Sequence, residues 1–464
     1  MKRLRRVFAV LLTLACTAGI AAGCGGDDDG PEEGATVVTV WLRDFEDWSN
    51  EVMKSIMDDF NKDKTDMLHI SYRFISEDGF GDALAAAQDN GTAPDIYQVS
   101  YTNLYSEVRG NTILALDDLL PASSFEDLKD TAKELVVYDG HYYAYPQLTE
   151  PGAVMYYRKD LLDEAGVDYS NAEEWSFEDL YAACEKLKEI MPKNQGKYPM
   201  LGFDFAEAGW ASQGLQANLT GGDVCLNEDW TEVIVDSQGY KELANFYGKL
   251  YGEEYVPLTW STGYNDQIID LCDGKVAIAY TGSWAIAEIM ESYGEEMADK
   301  IGVATIPTLN GGADKGTTAT NGGWALVIDA KSKNSEAAAK IIEYLAAGED
   351  TAAPERYFEA AHYSKSIPRK SIQEKVDAKD TSSACPAEWL DIIENIADNG
   401  IPESIYTFDI NTQVMGLMQN IVIDVLDGNS VEASWNSRIG DTIAAIEKIV
   451  ENNGLAGNNP RFQK

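Results

Sequence analysis

Histidine and basic residues are scarce in this chain. The 464 residues include only three histidines, which are scattered at His69, His141 and His362. That is little material for a metal site or for a histidine-based catalytic triad. The 36 lysines and arginines are outnumbered by 78 aspartates and glutamates, and the formal net charge is −42. Nucleic-acid partners need a basic footprint. We therefore expect no metal, no cofactor and no nucleic-acid partner.

Cysteine is rare too, and it lacks a metal-binding or redox pattern. No two cysteines have C-x-x-C spacing, so zinc or thiol redox chemistry has little support. An extracellular setting would permit disulfides, but their pairing cannot be deduced from the sequence and stays open. The six positions are Cys16, Cys24, Cys184, Cys225, Cys272 and Cys385.

The N-terminal 35 residues are not predicted to belong to the fold. A basic segment at 2–6 precedes a short apolar stretch and small residues that end in Ala-Ala-Gly-Cys24. This order is typical of a secretory signal peptide, and the apolar stretch is shorter than the ~20 residues of a spanning helix. The ending resembles a bacterial lipobox, although Ala21 replaces the more usual Leu. We expect a signal peptide at 1–23, lipidation of Cys24 and a flexible tether over 24–35.

The body alternates predicted strands and helices. Apolar, β-rich segments at 36–41, 70–74 and 95–99 are separated by amphipathic helical patterns. This β-α-β-α-β opening predicts a parallel, doubly wound sheet. Ser49 is predicted to cap the first helix, and Ser176 to begin a later helix with a capping box.

One stretch at 274–289, GKVAIAYTGSWAIAEI, combines a strand, a turn and a helix. The continuous apolar run at 276–280 predicts a strand buried on both faces. Ser283 is expected to cap the helix that follows, and Trp284 lies at the helix start. Ligands of open α/β sheets bind at the carboxyl ends of strands, so Trp284 is a candidate to stack on a ligand. An indole that only fills core space is the alternative.

Five segments follow one another in an order and spacing that match a known family. They are APDIYQVSYTNL, DGHYYAYPQLTEPGAVMYYRKDLLDEAG, DGKVAIAYTGSWAIAEI, the long segment that begins IGVATIPTLNGG, and SWNSRIGDTIAAIEKIV. Together they resemble extracellular solute-binding proteins of the maltose-binding-like type, which serve ABC sugar importers. The resemblance covers nearly the whole chain after the N-terminal 35 residues.

This resemblance implies an α/β fold of two lobes, the type II periplasmic-binding-protein-like fold. Each lobe would be a doubly wound sheet flanked by helices, with the ligand cleft between them. The implied lobes are 36–149 plus 310–350 and 150–309 plus 351–464, with chain crossings near 148–151, 306–320 and 346–354. The implied function is that of a non-enzymatic, lipid-anchored extracellular receptor, expected to be a monomer. It would close on an oligosaccharide and deliver it to the permease subunits of an ABC importer.

A sugar ring has apolar C–H faces and a hydroxyl rim, so its site needs flat aromatic rings and planar hydrogen-bonding groups. By resemblance, Trp284 would be the main stacking ring, with Ser283 beside it. Glu150, at the first crossing, is a candidate hydroxyl acceptor, although a carboxylate there could serve only backbone N–H groups. Trp324 is expected by the cleft, with a core position as the alternative.

Five further residues are candidates for the same cleft. Asp44 and Tyr101 follow the first and third strands, although Arg43 could instead form a surface ion pair with Asp44. By the resemblance, Trp210 lies where the family often places another aromatic residue. Trp260 and Tyr264 precede a helix that leads towards the 274–289 stretch. Trp41 and Trp389 are expected to pack in cores.

Two other functions remain open at this level. The same fold could bind a peptide, a polyamine or a metal chelate, and the acidic composition would suit a cationic solute. A glycoside hydrolase would also combine aromatics with two carboxyl groups, which are easy to nominate among 78 acidic residues. The order of the five segments favours a binding protein.

Overall fold

The computed structural model describes residues 30–63, 67–201, 212–222, 224–258, 264–313, 319–381, 384–405 and 408–460. The expected signal peptide, Cys24 and residues 25–29 of the expected tether lie outside these ranges. Within them, strands and helices alternate as the sequence predicts. No helix in the described part is both long enough and apolar enough to cross a membrane.

Two sheets organise the described chain. Sheet one has the strand order β12-β11-β3-β1-β2, with β6 also paired to β11, and sheet two has the order β10-β7-β9-β8. A small hairpin is formed by β4 and β5. The strands are β1 (Thr36–Asp44), β2 (Leu68–Ser76), β3 (Ile96–Ser100), β4 (Val137–Tyr138), β5 (His141–Tyr142), β6 (Tyr145–Pro151), β7 (Val154–Arg158), β8 (Tyr198–Met200), β9 (Val276–Thr281), β10 (Ile301–Ala304), β11 (Thr320–Ile328) and β12 (Ile401–Pro402).

The helices cover both sheets. They are α1 (Asp47–Lys62), α2 (Glu77–Asn90), α3 (Tyr101–Gly110), α4 (Ala122–Glu126), α5 (Asp130–Val136), α6 (Lys159–Glu164), α7 (Phe177–Ile190), α8 (Gln213–Thr220), α9 (Gln238–Gly252), α10 (Tyr264–Cys272), α11 (Ala285–Ser292), α12 (Glu295–Ala298), α13 (Ser335–Ile342), α14 (Ala352–Ala360), α15 (Lys370–Asp377), α16 (Ala387–Asn399), α17 (Phe408–Leu426) and α18 (Val431–Asn452). A π-helical turn, Glu343–Ala347, continues α13.

The first three strands of sheet one are parallel, as the β-α-β-α-β pattern predicts. β1 lies between β2 and β3 and runs parallel to both. β11 then pairs antiparallel with β3 on one side and with β6 on the other. Gly323 allows the close approach of β6, because its φ is +123° and a Cβ there would lie 2.7 Å from the carbonyl oxygen of Leu148.

Sheet two differs from the expected doubly wound pattern in its strand directions. β7 pairs antiparallel with β9 and with β10, and only β8 runs parallel to β9. Every residue of β7, β9 and β10 is buried. A strand covered on both faces is apolar throughout, whether its neighbour is parallel or antiparallel. The directions of these strands could therefore not be predicted from the sequence.

The segment 352–376 packs with sheet one, whereas the expected division placed it in lobe two. Tyr357, Phe358, Ile367 and Ile372 belong to the same buried cluster as the inner face of β1. Trp389, which follows in α16, packs with sheet two. The chain therefore passes from sheet one to sheet two after residue 376 and not before residue 352.

The two helix caps predicted from serine residues had different outcomes. Ser176 accepts from the backbone of Asp179, and Asp179 bonds back to Ser176, so the capping box is confirmed. The cap at Ser49 is wrong, because α1 begins at Asp47 and Ser49 lies buried inside it, 3.5 Å from the hydroxyl of Tyr357. Four cysteines of the described body are buried thiols outside any disulfide: Cys184, Cys225, Cys272 and Cys385.

Candidate functional site

The last residues of β6 connect three parts of the chain. Glu150 lies opposite Gly322 of β11 in sheet one. The carbonyl of the next residue, Pro151, accepts a 3.0 Å hydrogen bond from the backbone of Ser283, which follows β9 of sheet two. Thr149 exchanges two backbone hydrogen bonds with Ser366, at 3.2 and 2.8 Å. The segment around Ser366 is thereby held against the point where the chain passes between the sheets.

A buried ion pair lies at this junction. The ammonium of Lys365 donates to the carboxylate of Glu150, and the two side chains are 4% and 10% exposed. The alternative in which Glu150 serves only backbone N–H groups is therefore wrong. Sequence reasoning did not single out Lys365, which lies 215 residues from its partner and carries no local signal.

The surroundings shift the pKa of both members of the pair. Burial raises the pKa of Glu150, and the bond from Lys365 and the indole of Trp324 offset this only in part. Burial alone would lower the pKa of Lys365, but the carboxylates of Glu150 and Glu46 raise it above its usual value. One ammonium therefore faces two carboxylates in surroundings that contain little water.

Two indole rings face the same ammonium. The Lys365 nitrogen lies 5.8 Å from the ring centroid of Trp284 and 5.9 Å from that of Trp48, within cation–π range. Trp48 comes from α1, beside sheet one, and Trp284 from the turn after β9 in sheet two. The structure thus brings together two aromatic rings, Glu150 and Lys365 from four separate segments.

The Trp284 ring lies over Gly282. A Cβ on Gly282 would fall 1.8 to 2.3 Å from atoms of that ring, so only glycine fits beneath it. Trp284 is 9% exposed and also contacts the buried cluster of sheet two, so the indole packs on the core as well as bordering the junction. The expected cap at Ser283 is wrong, because Trp284 occupies the N-cap position of α11 and Ser283 lies one residue too early.

Several buried polar atoms at this junction make no hydrogen bond. They are the Ser283 hydroxyl, the Ser364 hydroxyl and the indole N–H of Trp48, none of which has a partner among the described residues. Ser364 precedes Lys365 in the sequence, and Ser283 precedes Trp284. The rings of Trp48 and Trp284 face the Lys365 ammonium. Buried donors and acceptors are normally paired, so these three atoms leave unused hydrogen-bonding capacity in the residues around Lys365.

Trp324 forms a second aromatic group beside the ion pair. Its ring is half-buried, packs 5.1 Å from Phe45, and supports the guanidinium of Arg43 at 4.3 Å. The alternative of a surface ion pair between Arg43 and Asp44 is wrong. Asp44 is exposed and accepts from Asn50 at 2.5 Å, while the buried Arg43 side chain stacks on rings.

Tyr101 is not presented to any open surface. It is fully buried, and its hydroxyl lies 3.0 Å from the carbonyl oxygen of Leu148 and 3.2 Å from that of Trp324. Burial raises its pKa well above the usual value. Tyr101 therefore bonds β6 and β11 next to the junction instead of offering its hydroxyl to a ligand.

The remaining candidates fall outside what the structure describes. Trp210 and Trp260 lie outside the described residues, and so does the side chain of Tyr264, whose backbone opens α10. Within the described ranges, no group of three or more His, Cys, Asp or Glu side chains could hold a metal ion. Trp389 is buried in the core, as predicted, and Trp41 is partly buried.

Comparison with known proteins identifies what the chain is similar to. A family model described as bacterial extracellular solute-binding protein matches residues 46–351. A probable ABC transporter-binding protein of Deinococcus radiodurans is 24% identical over 55% of this chain, and the chain spans only 59% of that relative. A maltooligosaccharide ABC transporter solute-binding lipoprotein of Streptococcus pneumoniae is 24% identical over 73% of this chain and 75% of its own length.

Among solved structures, the GacH receptor of Streptomyces glaucescens, studied unliganded and in complex with acarbose, has the same fold. The TM-score is 0.71 at 20% identity, over 91% of this chain and 99% of the receptor. The two-lobed α/β fold implied by the sequence resemblance is thereby confirmed.

Proposed function

The chain belongs to the bacterial extracellular solute-binding protein family, and on that premise we propose that it captures an oligosaccharide between two lobes and delivers it to an ABC importer. The observation that carries this proposal is the group of unpaired hydrogen-bonding atoms beside Trp284 and Trp48. A sugar supplies apolar faces for the two rings and hydroxyls for the unpaired atoms. The names of relatives such as the maltooligosaccharide protein of Streptococcus pneumoniae support the same class.

The proposed site consists of Trp284, Ser283, Glu150 and Trp324 from the sequence prediction, with Lys365, Ser364 and Trp48 added from the structure. Trp210, Trp260 and Tyr264 stay predictions. Asp44 and Tyr101 are not included, because the first is bonded to Asn50 at the surface and the second is committed to backbone carbonyls.

A cationic solute is disfavoured at this position. Two indoles and a carboxylate would suit an organic cation, but the ammonium of Lys365 already faces both rings and is paired with the carboxylate. A second cation would meet Lys365 at close range, and like charges disfavour each other strongly where water is excluded. A neutral or anionic solute meets no such obstacle.

A glycoside hydrolase is disfavoured as well. Such an enzyme needs one carboxyl group to protonate the leaving oxygen and a second on the opposite face of the scissile bond. Glu150 is bound to Lys365, and the members of the matched family are solute-binding receptors. We therefore propose that the protein is a receptor without catalytic activity. Released reducing ends after incubation with an oligosaccharide that binds would contradict this.

We further propose that the lobes are built on sheet one and sheet two and move about the crossings near 148–151 and 306–320 and a third crossing after residue 376, in place of the one expected near 346–354. Closure would then bring Trp284 and Trp324, which sit on different sheets, towards the same ligand. Small-angle scattering of the protein with and without its ligand tests this, since closure reduces the radius of gyration.

Anchoring through Cys24 is the remaining part of the proposal. The lipobox-like ending and the lipoprotein named among the relatives support a protein held at the outer face of the cell membrane. An anchor would keep the receptor near its transporter and raise its effective concentration there. Incorporation of a labelled fatty acid into the parent and not into Cys24→Ser is the expected result.

Thermal-shift screening against mono- and oligosaccharides, peptides and polyamines tests the ligand class. A solute that binds only the native state raises the apparent stability, by about 2.7 kcal/mol at a hundredfold excess over its dissociation constant. We expect a shift with one family of oligosaccharides. A shift with peptides or polyamines alone would retain the fold and overturn the function.

The site itself is tested by Trp284→Ala. We expect this variant to bind the oligosaccharide about 1–3 kcal/mol more weakly, the scale of one lost aromatic anchor. Trp41→Ala is the matched control, since Trp41 lies on the middle of β1 and stacks with Arg73 away from the junction. Equal affinities of the parent and Trp284→Ala would show that the site is elsewhere.

A further inference from the structure

Arg43 is a buried cation at the carboxyl end of β1. Its side chain leaves the face of the strand opposite to the core residues Val40 and Leu42, and only 9% of the residue is exposed. The guanidinium lies between two rings, 4.0 Å from the centroid of Phe80 and 4.3 Å from that of Trp324. The two rings hold it in a fixed position.

No carboxylate pairs with this guanidinium. Among the described residues it makes no ion pair within 4.0 Å, and its Nε is buried without a hydrogen-bond partner. Its backbone N–H alone is bonded, to Gln98 at 3.0 Å. Burial lowers the pKa of Arg43 to about 10, and the carboxylate of Glu77 offsets this only in part. A buried charge without a partner is costly, so its retention needs a reason.

The nearby acidic groups are engaged elsewhere. Asp44 is exposed and bonded to Asn50. Glu46 acts on the Glu150–Lys365 pair rather than on Arg43. Glu77 attracts the guanidinium without forming an ion pair with it. In a chain of net charge −42, a buried cation that forms no ion pair with any described carboxylate is a specific feature and not a consequence of composition.

Arg43 contacts the proposed sugar site through Trp324. Its guanidinium stacks on Trp324, and the indole of Trp324 favours the ionised form of Glu150, which pairs with Lys365. A ligand that stacks on Trp324 would therefore come within reach of the guanidinium. Neutral hydroxyls would satisfy its N–H groups but would leave its charge uncompensated.

We propose that Arg43 binds an anionic substituent of the ligand, so that the solute is an acidic oligosaccharide bearing carboxylate or sulfate groups. This inference rests on the proposed function and deepens it by naming the substrate class. The planar guanidinium offers parallel N–H donors that match two oxygens of a carboxylate or sulfate, and charge-assisted bonds of this kind are about twice as strong as neutral ones. Release of the anion would return Arg43 to the unpaired state seen here.

The test compares matched charged and neutral ligands. Oligosaccharides of galacturonate and glucuronate, the same oligosaccharides with each carboxylate reduced to an alcohol, and sulfated oligosaccharides are titrated calorimetrically into the parent, Arg43→Gln and Arg43→Lys. Arg73→Gln is the control, because Arg73 also stacks on a tryptophan, at 5.4 Å from Trp41, but is exposed. Circular dichroism and thermal unfolding of each variant establish that it is folded.

We expect at least one charged oligosaccharide to bind the parent tenfold or more tightly than its reduced counterpart, with an advantage that shrinks at high salt. Arg43→Gln should abolish this ratio, Arg43→Lys should retain part of it, and Arg73→Gln should leave it unchanged. Comparison of the carboxylated with the sulfated oligosaccharides shows which of the two anions Arg43 binds.

A parent that prefers reduced or other neutral sugars would overturn the proposal and leave the sugar function standing. Binding of sulfate ions, lost in Arg43→Gln, without binding of any saccharide would keep the anion site and remove the sugar function. A parent that binds no charged ligand overturns the proposal.

Discussion

Two buried cations four residues apart in one segment, Lys365 and Arg369, are treated very differently by the fold. Arg369 donates to the carboxylate of Asp127 at 2.7 Å and to the carbonyls of Ala346 and Gly348 at 2.7 and 2.9 Å. Lys365 has one hydrogen-bond partner, Glu150, and otherwise faces two indole rings and the charge of Glu46. The first pair is saturated with hydrogen bonds and the second is not.

The pKa values of the two acids reflect this difference. Burial alone would raise the pKa of Asp127, but hydrogen bonds from Ser371 and Arg369 outweigh it and the pKa is lowered. The pKa of Glu150 is raised instead, because burial outweighs its one partner. A saturated pair stabilises the fold, whereas an unsaturated pair keeps hydrogen-bonding capacity for a ligand.

The largest expected effect is that of Arg369→Met. It removes the donor to two backbone carbonyls and leaves the Asp127 carboxylate with the hydrogen bonds from Ser371 alone, and breaking a buried pair in this way costs about 3–5 kcal/mol of unfolding free energy. Urea denaturation at pH 7 measures it. The control is Arg356→Met, whose side chain is 41% exposed and pairs with Asp59, and whose loss should cost under about 1 kcal/mol. Equal losses would remove the distinction drawn here.

Lys365→Met should cost less, about 1–3 kcal/mol, the range for one unsatisfied buried polar group. Glu150, whose pKa is already raised, escapes the unpaired charge by taking up a proton. Because its folded pKa lies above its unfolded value, the cost should shrink as the pH falls from 7 through the folded pKa. The double variant Glu150→Gln/Lys365→Met should recover part of the loss, and exposed Lys379→Met should lose almost nothing. A cost that stays constant with pH would contradict the assignment.

Asp127→Asn tests the saturated pair by pH. A depressed folded pKa stabilises the fold above the unfolded pKa of about 3.9, and this contribution is lost as the pH falls through the folded pKa. The variant should therefore be less stable than the parent at pH 7, by about 1.5 kcal/mol for bonds to a charged group, and the gap should close towards pH 2. Paired urea titrations check this, with exposed Asp118→Asn as the control. A gap that widens in acid would refute it.

Gly282→Ala gives the smallest expected change and tests the ring beside Lys365. The new Cβ cannot coexist with the Trp284 indole, which must move. We expect a weaker affinity for the oligosaccharide, by about 1 kcal/mol, and an altered near-ultraviolet circular dichroism spectrum. Gly416→Ala in α17 is the control, because nothing lies within 4 Å of a Cβ there. An unchanged spectrum would mean that the indole does not depend on this glycine.

The sequence was most informative where a local pattern has one structural meaning. The apolar run of β9 and the alternation that opens sheet one were predictable, because burial on both faces demands continuous apolar residues. The predicted caps at Ser49 and Ser283 were wrong, because a serine marks the start of a helix only approximately. The N-cap residues in the structure are Glu46 and Trp284. The directions of β7 and β10 carried no local signal.

Only part of the proposed site could be predicted from the sequence, for a similar reason. Trp284, Glu150 and Trp324 stood in segments that resemble the family, so the resemblance pointed to them. Lys365 and Arg43 are ordinary basic residues in the sequence, and their importance arises from partners that the fold brings from far along the chain. The position of Tyr101 after β3 could be predicted from the sequence, but the inward orientation of its hydroxyl could not.

The late arrival of β11 has a consequence for how the protein is made. Sheet one needs β11 beside β3, yet Trp324 lies 223 residues after Tyr101, and until it is synthesised the outer edge of β3 has no partner strand. Closing so long a loop is slow, and an open strand edge invites pairing with other chains. Chains that end at residue 313 should stay sensitive to protease, whereas chains that extend past residue 328 become resistant. Sheet one is therefore completed only after most of the chain has been synthesised, although every strand of sheet two precedes β11.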